Sequence, residues 1–541
     1  MLVSLKQPMS CLSGRESRFL LQQSWLSQTQ TMPVLSQYEN QVAFAMRAAT
    51  ARSPHLVICI DTPFTPELPV KQKPLRSGRR AKDPLKVVLS VGVLGGVILA
   101  SGYFASSSFA ARVTPLESGA ITQQPKIAVL SARRTPNTLS NDTRLGGLRR
   151  SLSSLQGRVP PDGCLTVDWL GQSLSDVRGD KLLVPASAVK VLTAATALEV
   201  LGPTFTYKTE VFAAKTDQPG VVTDLFLVGG GDPVIVRNEY VATEKYKTFN
   251  GTSLETLADQ IVATGVRTIS GSIVGIDSRY DDKRFVDVWP TEFHFTESGP
   301  LGALLVNDGV VVGEPNKPDD PALAAATELR TLLSARGVAV TGAVRHDAAL
   351  PNNATAVTTI SSSPLPLILR EMLVNSDNNT AEMVLKEIGF SKKKSGSTAA
   401  GLEVMSQYFL DKKISPVPTL IDGSGLSSSN QASCRSFMEL LNSQASQLAP
   451  MLAIAGTTGT LSTAFEDSPM NGRLLGKTGT LSGVKALVGY LPVEGGQPVV
   501  FAFIMNASGI DNKTSYRPLW NALGEALNKA KSTPRADQLA P

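Results

Sequence analysis

The sequence predicts an α+β fold: an antiparallel sheet flanked by helices, with one or two mainly-β or α+β domains set into it. Three observations carry that expectation. Residues 186–201 form an Ala- and Leu-rich run closed by Gly202 and Pro203, the stop signal of a helix. Two apolar, strand-like runs, GKTGTLSGVKALVGYL (476–491) and QPVVFAFIMN (497–506), lie close enough in sequence to pair. Between the helix and the next informative motif stand about 140 residues, roughly 215–355, too many for a loop inside a compact domain. They hold strand signals of their own (VVTDLFLVGG, TISGSIVGIDS, GVVVGE) and a helical run, PALAAATELRTLL.

The chain has 541 residues, 42% of them apolar and 18% charged, which excludes a disordered polyelectrolyte and a multi-span membrane protein. Its formal charge of +6 invites a nucleic-acid partner, but the charge is not spread evenly. Residues 1–86 hold twelve Lys/Arg against five Asp/Glu, and the rest hold 40 against 41. The body of the protein therefore has no electrostatic footprint for phosphate, and no nucleic-acid partner is expected.

The basic tail, 1–86, reads as disordered, with a true start downstream of Met1 as the other reading. It leads into Val87–Ala111, which carries no charge. A basic flank before an apolar stretch directs the downstream chain out of the cytoplasm. Two readings are open for 87–111: an uncleaved signal anchor, giving membrane contact through one segment, or a signal peptide cleaved near Ser108–Ala110. Of the four cysteines, only Cys164 and Cys434 lie beyond this segment. They have no metal-type spacing; they could pair, but the expectation is two separate buried thiols and no structural disulfide framework.

Several chemistries are missing. There is no HExxH, no P-loop and no GxSxG elbow, and the only histidines are His55, His294 and His346. The last two read as surface or structural residues. A serine nucleophile here would need a base other than histidine.

Three motifs supply one. Ser187 falls in the first turn of the helix, and a spacing of three puts Lys190 on the same face, within reach of its hydroxyl. A lysine acts as a base only when neutral, so burial or a second cation must lower its pKa. Ser376-Asp377-Asn378 precedes another helix, and Lys477-Thr478-Gly479 opens the strand-like run at 476. Singly these are weak: S-x-x-K arises about twice by chance in such a chain. Ser391-Lys392-Lys393-Lys394 repeats it and reads as loop, and Ser428-Ser429-Asn430 repeats S-x-N. Order and context make the set informative, because S-x-x-K, SDN and KTG together mark penicillin-interacting serine enzymes.

Longer phrases narrow the resemblance. PASAVKVLTAATALEVLGPTF (185–205), LFLVGGGDP (225–233), ALLVNDG (303–309), SDNNTAEMVLKEIG (376–389), DGSGLSSSN (422–430), AGTTGTL (455–461) and GKTGTLSGVKALVGYL resemble one family. It is that of the D-alanyl-D-alanine carboxypeptidases/endopeptidases of the class C low-molecular-mass penicillin-binding proteins, peptidase family S13. The 189 residues between Ser187 and Ser376 fit that family, which carries inserted domains. They argue against a class A β-lactamase, as does Glu439, which is one place out of register for that enzyme's acidic motif. Two departures stand out: 160–180 lacks the family's usual glycine-turn hairpin, and Thr458 replaces an acid in AGTTGTL.

The resemblance implies a β-lactamase/transpeptidase-like catalytic domain split into 130–214 and 356–533 around inserted domains at 215–355. It implies exported hydrolysis of peptidoglycan stem peptides ending in D-Ala-D-Ala, with an acyl-enzyme on Ser187. Lys190 would be the base and Ser376 the proton relay to the leaving amine. Asn378 would bind the substrate amide, while Lys477 and Thr478 would meet the terminal carboxylate. The backbone N–H groups of Ser187 and Thr480 would hold the oxyanion. β-Lactams would act as covalent inhibitors, and the mechanism calls for no cofactor and no metal. Two other readings share these residues: a β-lactamase or esterase, and a non-catalytic protein that binds peptidoglycan.

Overall fold

The computed structural model describes residues 136–494 and 496–532. The basic tail and the apolar segment 87–111 lie outside the described residues, as does the end from 533. Among the described residues no helix is long and apolar enough to cross a membrane.

The elements, in chain order, begin with α1 (Pro136–Gln156), β1 (Gly163–Trp169), β2 (Gln172–Val177) and α2 (Val189–Leu201). The middle of the chain supplies β3 (Lys208–Lys215), β4 (Val221–Val228), α3 (Leu254–Ala263), β5 (Thr268–Ile269) and β6 (Ile273–Ile276). It continues with α4 (Pro321–Ala335), β7 (Ala339–Val340), β8 (Val344–His346) and β9 (Thr355–Ser361). Four helices follow: α5 (Leu365–Asn375), α6 (Asn378–Lys393), α7 (Thr398–Asp411) and α8 (Cys434–Ser443). The last elements are β10 (Ala453–Ile454), β11 (Leu475–Leu481), β12 (Val484–Leu491), β13 (Val499–Asn506) and α9 (Lys513–Ser532).

Six strands make an antiparallel sheet in the order β10-β11-β12-β13-β1-β2. Its central strands are buried on both faces, and their side chains alternate between two cores as a period of two requires. Ala486, Val488, Tyr490, Val500, Ala502 and Ile504 face one core with residues of α2, α5, α6 and α8. Leu487, Leu491, Phe501, Phe503 and Met505 face the other, with α1 and α9. In α9 the stripe Leu519, Trp520, Leu523 and Leu527 is buried there, as its spacing predicts. Helix α2 is apolar all round and is buried from Val189 to Leu198, with Lys190 the one charged residue in that run.

A second, mixed sheet lies between α2 and α5 in sequence, with its strands running from Lys208 to Ser361. Val211, Leu225, Leu227 and Ile273 pack with Leu257 and Ile261 of α3 and with Leu329 and Leu333 of α4 in a core of its own.

Four local expectations are corrected. Cys164 and Cys434 form a disulfide, with Cα atoms 6.0 Å apart, that ties β1 to the first residue of α8. Folding brings together residues 270 apart, a pairing that no local spacing encodes. The hairpin before Ser187 is present: β1 and β2 are joined through Leu170 and Gly171, both left-handed (φ 53° and 73°), the backbone a two-residue turn needs. GVVVGE (309–314) is not a strand, because the Val312 N–H is taken by the Glu328 carboxylate (2.5 Å) rather than by a neighbouring strand. The run Ser391–Lys393 is the last turn of α6, closed by Lys394 in the left-handed conformation (φ 58°).

Candidate active site

Ser187 sits in a 3-10 turn, Ala186–Ala188, that feeds directly into α2. Ala186 just before it has φ 48°, an uncommon conformation for a residue with a Cβ. The turn is held from two sides. A Cβ on Gly425, itself at φ 85°, would fall 2.0 Å from the Ala186 carbonyl oxygen. One on Gly479 of β11 would fall 2.4 Å from that of Pro185. Both glycines let backbone pass where a side chain would collide.

Lys190 lies one turn on, fully buried. Its Nζ is 3.2 Å from Ser187 Oγ and donates to Asn378 Oδ1 (2.6 Å) and to the Ser424 carbonyl (2.6 Å). Burial brings its pKa down to about 8, against the opposing pull of Glu382, Asp422, Asp377 and Glu297.

The second motif is a helix junction. Ser376 ends α5 in the left-handed region (φ 64°), and Asp377 caps α6 by accepting from the Thr380 N–H (3.1 Å) and hydroxyl (2.6 Å). The reversal turns Ser376 towards β11 and Asn378 towards Lys190. Burial, reinforced by Asp308, raises the Asp377 carboxyl to about 7.

On β11, Lys477 is fully buried and donates to Ser376 Oγ (2.8 Å) and to the Thr478 carbonyl (2.8 Å). Burial first, then Lys190 and Lys485, hold its pKa well below that of a free lysine. Thr478 donates its hydroxyl to Thr460 (2.9 Å), and Thr480 accepts from Lys485 (2.8 Å). Ser187, Ser376, Asn378, Thr478 and Thr480 all line one cleft of about 650 Å³. Lys190 and Lys477 lie behind its wall. The seven residues singled out from the sequence thus converge at one place.

Tyr246, Phe293 and Glu297 from the middle of the chain line the same cleft, and the Glu297 carbonyl accepts from Asn378 Nδ2 (2.7 Å). By contrast, His294 stacks on Phe285 (4.0 Å between ring centroids), and His346 lies between Asp277 and Asp320. Glu439 accepts from the Ser415 N–H, away from the cleft.

Sequence reasoning passed over four participants. Asp422 gathers the loop 422–430 by accepting from Gly425 N, Ser427 N, Asn430 Nδ2 and Trp289 Nε1. The loop so shaped offers the Ser424 carbonyl to Lys190. Glu382 accepts from the Gly423 and Ser424 amides, and burial followed by repulsion from Asp422 raises it to about 7. Thr460 and Lys485 complete the wall beside Thr478 and Thr480. The phrases DGSGLSSSN, AGTTGTL and GVKALVGYL contain three of these, and a lone lysine in an apolar strand was the readable signal for Lys485.

The family model of the D-Ala-D-Ala carboxypeptidase 3 (S13) family matches residues 169–319 and 315–523, more than half of the chain. The chain belongs to this family. It is accordingly a serine-type D-Ala-D-Ala carboxypeptidase. Among its relatives, the D-alanyl-D-alanine carboxypeptidase of an Actinomadura species is 28% identical over 459 residues, covering 68% of this chain and 82% of its own. The carboxypeptidase DacB of Mycolicibacterium smegmatis is 30% identical, covering 61% and 73%. In structure, penicillin-binding protein 4 of Haemophilus influenzae superposes with a TM-score of 0.58 at 21% identity, over 70% of this chain and 99% of its own. At that identity the likeness establishes a shared α+β fold.

Proposed function

We propose that the chain removes the terminal D-Ala of peptidoglycan stem peptides through an ester on Ser187, and that β-lactams stop it by forming the same bond. The observation that carries this reading is the hydrogen-bond set of Lys190. A neutral amine has two hydrogens and one lone pair. Asn378 Oδ1 and the Ser424 carbonyl, both acceptors, take the two hydrogens. The lone pair is then left for the Ser187 hydroxyl, 3.2 Å away. At a pKa of about 8 roughly a tenth of the amine is neutral at pH 7, enough for a base.

In the proposed reaction Ser187 Oγ attacks the carbonyl carbon of the penultimate D-Ala and gives its proton to Lys190. The N–H groups of Ser187 and Thr480 receive the developing oxyanion; the close passage of β11 beside Pro185 supports that pairing. Lys477 donates to Ser376 Oγ, so the Ser376 hydroxyl proton is free for the leaving amine, and the proton that Lys190 took from Ser187 replaces it. The C–N bond breaks, D-Ala departs and water hydrolyses the ester. Asn378 lines the cleft and holds the substrate amide, and Thr478 meets the terminal carboxylate.

We read residues 215–355 as a domain inserted into a catalytic domain formed by 130–214 and 356–533, with β3 and β9 of its sheet extending it to 208–361. The separate core around Leu225 and Leu329 supports this. The Cys164–Cys434 disulfide supports placement outside the cytoplasm, in the periplasm or at the outer face of the membrane.

Labelling with a fluorescent penicillin tests the reading. Wild type should form a stable adduct and Ser187→Ala none. No adduct on wild type, or rapid turnover of it, would overturn the assignment, the second outcome in favour of a β-lactamase. Label retained by Ser187→Ala would place the nucleophile elsewhere.

A further inference from the structure

The proposed reaction needs a positive charge for the terminal carboxylate of the substrate, and the motif lysine is poorly placed to give one. Lys477 is fully buried and does not line the cleft, and its amine is committed to Ser376 and to the Thr478 carbonyl. Resting on that proposed function, we infer that Lys485 is the cation that receives the terminal carboxylate, together with the hydroxyls of Thr478 and Thr480.

Lys485 is directly opposite Thr480 in the β11–β12 register, and both line the cleft. Its Nζ donates to Thr480 Oγ1 (2.8 Å). A hydroxyl that accepts from an ammonium keeps its own proton for another acceptor, so Lys485 fixes Thr480 as a donor into the cleft. The ammonium forms no ion pair with a described carboxylate. It lies over the ring faces of Tyr516 (4.1 Å) and Trp520 (5.1 Å) instead, which steady a cation without neutralising it. Burial brings its pKa down to about 8, opposed by Asp511, whose Oδ1 already accepts from the Gly483 N–H (3.0 Å), and reinforced by Arg517 and Lys513, so that about nine-tenths of it is still charged at pH 7. Two further donors on the same wall, Arg517 Nε and Trp520 Nε1, are buried without an acceptor. At this end of the cleft Lys485 and Arg517 line the wall against the single acid Asp511, which leaves a net positive charge for a carboxylate.

The test compares one acyl-D-Ala-D-Ala peptide as its free acid and as its C-terminal amide, on the full chain. Wild type should prefer the acid. Lys485→Met should lower kcat/KM for the acid about 10- to 100-fold, the worth of a charge-assisted hydrogen bond, and leave the amide within about threefold. Lys485→Arg should keep most of the preference. A parallel loss on both peptides would mean that Lys485 only supports the wall, and no loss on either would mean that the carboxylate lies elsewhere; each overturns the proposal. A wild-type protein that cleaves neither peptide would overturn the function on which it rests, and this inference with it.

Discussion

Asn378 Oδ1 lies 2.6 Å from Lys190 Nζ, closer than the 3.2 Å that separates that nitrogen from Ser187 Oγ. The amide therefore sets the direction of the lysine lone pair, and it is neutral, which matters as much as its distance. Asn378→Asp keeps the shape but puts an anion against the amine, which favours the ammonium and raises its pKa. Wild-type acylation by penicillin should rise with pH and level off above about 8. In the variant, which also loses the Nδ2 donor to the Glu297 carbonyl, that limb should move up by at least one unit, so that the rate at pH 7 as a fraction of the variant's own high-pH plateau falls about tenfold or more. A stopped-flow pH profile reads both quantities. An unmoved limb would show that Lys190 does not set it.

Glu382 is a buried carboxyl raised to about 7, with burial the first cause. The unfolded chain ionises this group near pH 4.3, so between about 4.3 and 7 the folded state holds a proton that the unfolded state has lost. Its contribution to stability is present at low pH and is lost as pH rises through 7. Glu382→Gln keeps an acceptor for the Gly423 and Ser424 amides without that loss. The variant should therefore gain stability relative to wild type when both are melted at pH 8 rather than pH 5. A difference in Tm that does not change with pH would refute the assignment.

Much of the site was legible because its parts are local. Helical spacing of three places Ser187 beside Lys190, and SDN is a helix junction whose Asp377 caps α6. What escaped depends on contacts between segments far apart in the chain. Ser424 reaches Lys190 only because Asp422 and Glu382 shape a loop 234 residues away. The turn at Leu170–Gly171 was missed because leucine rarely takes a left-handed conformation and carries no turn signal. GVVVGE misled in the opposite sense, since its β-branched residues favour a strand that no neighbour completes.

The Cys164–Cys434 bond closes a loop of 270 residues, joining a central strand to the start of α8. A cross-link of that reach restricts the unfolded chain strongly, and its loss typically costs about 2–5 kcal/mol. Cys164→Ala and Cys434→Ala should each lower Tm by several degrees, and the double variant should melt close to either single one. Losses that add in the double variant would show two independent buried thiols instead. Thiol titration of the unfolded, unreduced protein should find neither cysteine reactive.

Gly425 gives a sharper test of how the nucleophile is positioned. It lies on the loop that supplies the Ser424 carbonyl, and a Cβ there meets the Ala186 carbonyl oxygen at 2.0 Å. Its φ of 85° adds a conformational cost for any other residue. Gly425→Ala must therefore push the loop away from the Ser187 turn, and the two supports of the nucleophile and its base move apart together. A displacement on the order of 1 Å near the reacting atoms costs about 100-fold in rate. Gly472, also at positive φ (69°), has nothing within 4 Å of its Cβ position, so Gly472→Ala carries the backbone penalty without the collision. Acylation by penicillin should fall about 100-fold in the first variant and stay near wild type in the second, with both proteins folded by circular dichroism. Equal acylation rates in the two would mean that the contact between Gly425 and Ala186 does not position Ser187.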